Sequence, residues 1–146
     1  MSEIPLVYGE FGQALAFAER TLTAVLREHL ADRATTPETW YALKLVASSG
    51  PGLDRDALSK DLEGSPNLDA DSTTELLGRL ATEGLITGDT RIDLTDKGKA
   101  AFEDLRAYIA DPTIRLLSRF DLRDVETTVR TIKAITRLAT EESPAA

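Results

Sequence analysis

The sequence contains no cysteine, and it has one histidine, one tryptophan and one methionine among 146 residues. Without cysteine the chain cannot form disulfides, thiolate metal sites or a thiol-based redox switch, and a reducing compartment suits it. No stretch approaches the roughly 20 apolar residues that a membrane-spanning helix needs. The N-terminus has no basic segment followed by an apolar run, so no signal peptide is expected. These absences predict a cytoplasmic protein that does not associate with membranes.

Residue patterns typical of catalytic sites are missing as well. The chain has no glycine-rich phosphate loop, no HExxH motif and no cysteine nucleophile, and its single histidine is His29. Acidic pairs such as Glu141 and Glu142 are of the kind found in helix caps and chain ends. We therefore expect no enzymatic activity, no catalytic residue, no cofactor and no bound metal.

Basic residues are in deficit. The chain has 17 Lys and Arg against 25 Asp and Glu, which gives a net charge of −8 and a pI near 4.7. A DNA-binding domain usually concentrates basic side chains on one face, because release of counterions from the phosphates drives its affinity. The overall charge opposes DNA binding, although a local basic patch can persist on an acidic protein.

Helical periodicity dominates what the sequence does contain. Apolar residues at three- and four-residue steps predict amphipathic helices over about 8–33 and 99–141, and Asp111-Pro112 is expected to kink or break the second segment. The apolar stripe of the first helix comprises Phe11, Leu15, Ala18, Leu22, Val25, Leu26 and Leu30, and that of the last comprises Leu122, Val125, Val129, Ile132, Ile135 and Leu138. Each stripe is larger than a small domain can cover, which favours packing against a second copy in a twofold homodimer.

The segment over about 36–98 has a different pattern. Thr36 followed by Pro37 is a good helix start, and Asp54 can cap a short helix. A turn, EGSPNL, then precedes a helix over 69–82, and two short strands are predicted around Gly88-Asp89. A short helix, a turn, a longer helix and a hairpin predict a winged helix-turn-helix. The predicted fold is therefore mainly α with a small β-hairpin, a single domain over 1–146 whose winged core is flanked by N- and C-terminal dimerisation helices.

At this point the sequence resembles the MarR family of bacterial transcriptional regulators. The matching segments are TPETW at 36–40, the L-x-x-x-L spacing of Leu58 and Leu62, STTELLGRLATEGLI at 72–86, and LTDKGKAAF at 94–102. The resemblance covers nearly the whole chain. It implies a homodimer that regulates transcription by binding double-stranded DNA at a palindromic operator, and that is often released from DNA by a small aromatic ligand.

Two features depart from the family pattern. The helix that would enter the major groove carries Asp69 and Asp71 at its start and Glu75 where the family has an arginine. Asp69 or Asp71 can serve as the helix cap, and Glu75 can pair with Arg79 at i, i+4. The wing is also short, and Arg91 is its only basic tip residue.

The candidate contacts follow from this alignment. The predicted DNA-binding residues are Ser72, Thr73, Thr74, Glu75, Arg79, Arg91 and Lys97, and Thr73 is the weakest of them because its helical position is inward. The predicted ligand-binding residues are Phe17, His29, Trp40, Tyr41 and Tyr108, although Trp40 also suits the core and His29 a satisfied structural position. The alternative function is a degenerate winged helix that no longer binds DNA specifically and uses its acidic face for protein–protein interaction.

Overall fold

The computed structural model describes residues 3–63 and 68–143. Within these ranges the chain forms six helices and three short strands. The helices are α1 (Leu6–Ala31), α2 (Pro37–Ser49), α3 (Arg55–Glu63), α4 (Ala70–Thr82), α5 (Asp96–Leu117) and α6 (Leu122–Glu142). The strands are β1 (Leu53–Asp54), β2 (Ile86–Thr87) and β3 (Arg91–Leu94). The predicted fold class is confirmed, whereas the predicted EGSPNL turn lies largely on residues 64–67, outside the described residues.

Side-chain caps set the helix starts, and those of α2, α3 and α4 lie at positions that the sequence predicted. Thr36, Asp69 and Asp121 each accept a hydrogen bond from a backbone amide two or three residues on, at 3.2, 2.8 and 2.8 Å. Asp54 does the same for α3, at 3.1 Å from the Ala57 amide. Each bond satisfies one of the donors that the first turn of a helix leaves without a partner. Of the two aspartates predicted as alternatives at α4, Asp69 is the cap.

The sheet has one strand more than the sequence predicted. β2 and β3 form the predicted antiparallel hairpin, in which Ile86 faces Leu94. β1 adds to the other edge of β3, with Leu53 opposite Ile92, so the strand order is β1-β3-β2. Gly88 closes the hairpin with φ of 105°, a backbone conformation that favours glycine.

A core of branched aliphatic side chains holds α2, α3, α4 and the sheet together. In α4 the residues on one face, Leu76, Leu77 and Leu80, are buried as the spacing predicts. The others in this core are Ala42, Leu43, Val46, Leu58, Leu62, Leu68, Leu85, Ile86 and Ile92. Because these leucines are buried, the opposite face of α4 points outward.

Helix α5 passes through Pro112 without ending, so of the two predicted alternatives, a kink or a break, the break does not occur. A proline removes one backbone hydrogen bond from the helix, but the bonds before and after it can still form. The next residue adds one of its own, because the Thr113 hydroxyl donates to the Ile109 carbonyl at 3.0 Å. The chain divides into two compact units within this helix, Met1–Ala107 and Tyr108–Ala146.

The apolar stripes predicted for the flanking helices are exposed in the single chain. No residue of α6 is buried, and the side chains of Leu122 and Leu138 are 70% and 50% exposed. The stripe of α1 is similar at Phe11, Leu15, Leu22 and Val25. Among the described residues, no helix is long and apolar enough to cross a membrane.

Candidate nucleic-acid interface

Helix α4 has one buried face and one polar face. Its outward positions are Asp71, Glu75, Gly78 and Thr82, and all four are exposed. Their spacing of four, three and four residues places them in one column along the helix. This column lies opposite the buried leucines, so it is the face that α4 presents to any partner.

Thr73 does not belong to that face. It is 1% exposed, and its buried hydroxyl oxygen has no hydrogen-bond partner among the described residues. A side chain in this position cannot reach a DNA groove, so the structure argues against the predicted DNA contact of Thr73. The physical reason is the helical period: Thr73 shares the inward side with Leu76, Leu77 and Leu80.

The hydroxyl groups at the surface of α4 donate within the helix. Thr74 donates to the Ala70 carbonyl at 3.0 Å, and Thr82 donates to the Gly78 carbonyl at 2.9 Å. The backbone amide of Ser72, and after it the Ser72 hydroxyl, lower the pKa of Asp69 by hydrogen bonding to its carboxylate. With these protons engaged, the three hydroxyl oxygens can offer an outside partner only lone pairs.

Glu75 is not neutralised by its neighbour. No ion pair joins Glu75 and Arg79 in the described chain, so the predicted i, i+4 pair is wrong. Arg79 instead borders a cleft of about 550 Å³, whose other lining residues include Arg33 and Asp104. Exposed pairs of this type contribute only about 0.3–0.5 kcal/mol in helices, which is little compensation for fixing two long side chains. The carboxylate of Glu75 therefore faces outward without an ion-pair partner among the described residues.

Two of the three basic residues predicted to bind DNA, Arg91 and Lys97, are engaged within the chain. Lys97 Nζ donates to the Glu83 carbonyl at 2.8 Å, where it neutralises the C-terminal end of α4. Arg91 Nη1 donates to the Gly52 carbonyl at a longer 3.4 Å. Both side chains are nevertheless exposed. Either can turn toward a phosphate, but Lys97 would give up a short hydrogen bond to do so.

The hydrogen bond between Lys97 and Glu83 belongs to a region that we name the α4–α5 junction, residues 83–85 and 95–98. The Thr95 hydroxyl donates to the Gly84 carbonyl and accepts from the Gly98 amide, and the Thr95 amide donates to the Leu85 carbonyl at 3.1 Å. A Cβ on Gly98 would lie 2.0 Å from the Leu85 carbonyl oxygen, so the two backbones touch. The LTDKGK segment thus fastens the end of α4 to the start of α5.

The predicted ligand residues fall into different environments. Trp40 is 7% exposed and stacks on Phe102, with ring centroids 5.4 Å apart and planes at 14°, as a core residue does. Phe17 is 53% exposed, and its ring centroid lies 4.8 Å from the guanidinium carbon of Arg20. His29 and Tyr41 are half-buried. Tyr108 is also half-buried and begins the second compact unit.

A cavity of about 950 Å³ opens beside the Trp40–Phe102 stack, and sequence reasoning missed it. Its walls come from the second half of α2, from β3 and from the start of α5, and none of the five predicted ligand residues lines it. Its apolar side chains are Val46, Ala47, Pro51, Leu94 and Phe102, and its charged ones are Lys44, Asp93, Lys99 and Glu103. Lys44 Nζ lies 5.9 Å from the Trp40 ring centroid.

The charges around this cavity are not equivalent. The Asp93 carboxylate already accepts a hydrogen bond from the Gly52 amide at 2.7 Å. The Glu103 carboxylate is ion-paired with Arg106 at 2.7 Å. Lys44 and Lys99 are exposed at the cavity, where ammonium groups beside apolar walls suit an anionic ligand with a hydrophobic body. Among the described residues, no group of three or more His, Asp and Glu side chains is placed to hold a metal ion.

No protein-family model matches this chain, and no curated protein does. The fold is nevertheless shared with solved structures. A MarR transcriptional regulator from Methanosarcina mazei matches with a TM-score of 0.74 and 18% identity, over 93% of this chain and 99% of that chain. A Mycobacterium tuberculosis MarR family protein in complex with DNA matches with a TM-score of 0.65 and 20% identity, over 91% and 98%.

A third similar structure contains a small molecule. CouR from Rhodococcus jostii, bound to p-coumaroyl-CoA, matches with a TM-score of 0.71 and 16% identity, over 86% of this chain and 90% of that chain. At these identities the similarity establishes the fold. The chain has the winged-helix fold seen in MarR family regulators.

Proposed function

We propose that this chain is a MarR-like homodimeric transcriptional regulator, cytoplasmic and bacterial, that binds double-stranded DNA at a palindromic operator. The observation that carries the proposal is the architecture of α4. One face is locked into the winged core by buried leucines, and the opposite face is an exposed polar column. A recognition helix needs this arrangement, because its outward side chains must reach base edges while the core sets its angle.

The exposed stripes of α1 and α6 support the dimer. Large apolar side chains such as Leu22, Val129 and Leu138 are far more exposed than a stable monomer requires. Burial of these stripes against a second copy would give an interface with twofold symmetry. Two recognition helices related by that symmetry match two half-sites one helical turn of DNA apart.

Within the proposed complex the contacts divide into two groups. Ser72, Thr74 and Glu75 lie in the first half of α4 and would be nearest to the base edges. Arg79, Arg91 and Lys97 would contact phosphates. Phosphate contacts release counterions, so they make the affinity fall with salt, whereas base contacts provide specificity.

We also propose that a small aromatic carboxylate or acyl ligand controls DNA binding. The cavity lined by Phe102 has apolar walls for an aromatic ring, and Lys44 and Lys99 are placed to hold the negative charge of the ligand. The N-terminal part of α5 borders this cavity and also forms the α4–α5 junction. A ligand that favours one position of α5 would therefore bias the position of α4. Phe17, His29, Tyr41 and Tyr108 remain candidates for ligand contacts.

One set of observations favours the alternative, a winged helix that binds a basic protein partner and no specific DNA. The outward face of α4 carries two carboxylates, and Lys97 and Arg91 donate to carbonyls of their own chain. The net charge of −8 acts in the same direction. We rank this second, because the same acids can accept hydrogen bonds from base amino groups.

The test is a selection from a random duplex library by the purified chain, followed by sequencing. The regulator proposal predicts enrichment of an inverted repeat whose half-sites are about 10 base pairs apart, centre to centre. A variant with Glu75 changed to Arg serves as comparator, since it restores the basic charge of the family. Enrichment by Glu75→Arg alone, with none by the native chain, would favour the protein-partner alternative.

A further inference from the structure

We propose that α4 recognises cytosine in each half-site, through a hydrogen bond from the cytosine N4 amino group to the carboxylate of Glu75, with Gly78 allowing close approach of the helix. This inference rests on the proposed DNA-binding function and specifies its chemistry. It is carried by two independent features of the outward face, the hydrogen-bonding character of its side chains and the open glycine at its centre.

The first feature is that the column on α4 presents acceptors and no side-chain donor. Asp71 and Glu75 are carboxylates, and the Thr82 hydroxyl proton is held by the Gly78 carbonyl. On the flank, Thr74 likewise donates to its own helix. Arg79, the one basic residue of α4, borders a cleft formed with the α1–α2 turn and α5. A face of acceptors requires a partner that supplies donors.

In the major groove the donors on base edges are the N4 amino group of cytosine and the N6 amino group of adenine. The adenine amino group lies between two acceptors, N7 of the same base and O4 of the paired thymine. The cytosine amino group has the guanine O6 acceptor on one side and a non-polar C5–H edge on the other. A carboxylate is repelled less at cytosine, so cytosine is the preferred partner of Glu75.

The second feature is Gly78, which lies in the middle of α4 on the same column. Glycine is the least favourable residue for a helix interior after proline, because it has the most backbone freedom to lose. Within residues 3–63 and 68–143, a Cβ at this position would meet nothing within 4 Å, so no described neighbour requires the glycine. Because Gly78 has no side chain, the surface of a binding partner can come closer to the backbone of α4.

The two features fit one geometry. An α-helix with its side chains is about 10–12 Å across, and the major groove is about 12 Å wide, so the fit is close. Removal of a side chain at the centre of the column brings the helix axis nearer to the bases. Glu75 lies one turn before Gly78, where a short carboxylate side chain can then reach an amino group.

The negative charge of Glu75 makes this contact selective. A carboxylate taken into the groove without a donor loses its hydration and gains nothing in return. A half-site that lacks the amino group is therefore penalised, and we expect a loss of roughly 10-fold in affinity, within the usual range for one mismatched base pair.

The experiment is a double-substitution cycle on a duplex selected by the native chain. Each cytosine of the half-site is replaced in turn by 2-pyrimidinone, which pairs with guanine but lacks the N4 amino group. Affinities are measured for the native chain and for Glu75→Ala, with Glu141→Ala as a control for an acid removed from another exposed helix position. We expect one position at which the native chain and Glu141→Ala lose about 10-fold and Glu75→Ala loses almost nothing.

The outcomes are distinguishable. In one outcome the native chain binds a specific sequence, but at every position the 2-pyrimidinone replacement weakens binding by Glu75→Ala as much as binding by the native chain. This outcome would overturn the cytosine contact and leave the regulator proposal standing. Selection of no sequence by the native chain would overturn both.

Gly78→Ala tests the second feature: we expect a folded, thermally more stable chain that binds the selected duplex about 10-fold more weakly. An unchanged affinity of Gly78→Ala for the duplex would show that Gly78 does not bring the helix closer to the DNA.

Discussion

Two glycine-to-alanine substitutions, at Gly98 and Gly78, should change the stability of the chain in opposite directions. At Gly98 the added Cβ would lie 2.0 Å from the Leu85 carbonyl oxygen and 2.9 Å from its carbon. Both atoms are backbone, so relief requires the α4–α5 junction to open. Overpacking of this kind costs about 1–3 kcal/mol, and the junction offers no flexible side chain to absorb it. We expect a loss of about 2 kcal/mol for Gly98→Ala.

At Gly78 the same Cβ meets no described atom within 4 Å. Only the intrinsic helix preference changes, which favours alanine over glycine by about 0.8–1 kcal/mol in a helix interior. For a chain of this size, 1 kcal/mol corresponds to a shift of roughly 2–4 °C in Tm. The expected shifts are thus about −4 to −8 °C for Gly98→Ala and about +2 to +4 °C for Gly78→Ala.

The assay is urea unfolding followed by tryptophan fluorescence, with thermal melts as a second measurement. Trp40 is the sole tryptophan and is buried against Phe102, so its emission reports loss of the winged core. All variants are compared at one protein concentration, because the stability of a dimer depends on concentration. A neutral or stabilising Gly98→Ala would refute the close backbone approach at the junction.

Three further predictions concern the core, the first helix pair and the dimer. Thr73→Val removes a buried hydroxyl that has no partner in the described part of the chain, and it should stabilise the chain by about 1 kcal/mol in urea unfolding; destabilisation would show that the hydroxyl is satisfied. Burial raises the pKa of Glu38, but hydrogen bonds, chiefly from Arg27, outweigh it and hold that pKa below its ordinary value. The ionised Glu38 therefore contributes stability above its unfolded pKa and loses it as pH falls through the lower folded value. Glu38→Gln should cost about 0.5–1 kcal/mol at pH 7 and flatten the decline of stability below about pH 4.5; an unchanged pH profile would contradict this. Val129→Glu should convert a dimer into a monomer by light scattering, and a monomeric native chain would refute the proposed interface.

Local signals in the sequence were sufficient for most of the fold. Caps at Thr36, Asp54 and Asp69 depend on the residue itself and its next few neighbours; the first two were predicted, and the third was one of two predicted alternatives. The inward face of α4 follows from spacing alone. Strand β1 was missed because two residues contain no period to detect, and its pairing with β3 joins positions far apart in the chain.

The parts that sequence reasoning missed depend on tertiary packing. Continuation of α5 through Pro112 depends on the helix bonds that form on either side of the proline. The cavity is formed by positions on α2, β3 and α5 that have no common pattern in the sequence. The engagement of Lys97 by the Glu83 carbonyl is likewise a contact between two elements, so the sequence predicted Lys97 only as a DNA contact.

The central claim is that the outward face of α4 binds specific DNA despite its acids. Fluorescence anisotropy on a promoter-derived duplex tests it most directly, with the native chain titrated at several salt concentrations against excess non-specific competitor. We expect competitor-resistant binding near nanomolar dissociation constants, with an affinity that falls as salt rises because phosphate contacts release counterions. Binding that the competitor abolishes, or no binding by the native chain alongside non-specific binding by Glu75→Arg, would contradict the claim and favour a basic protein partner.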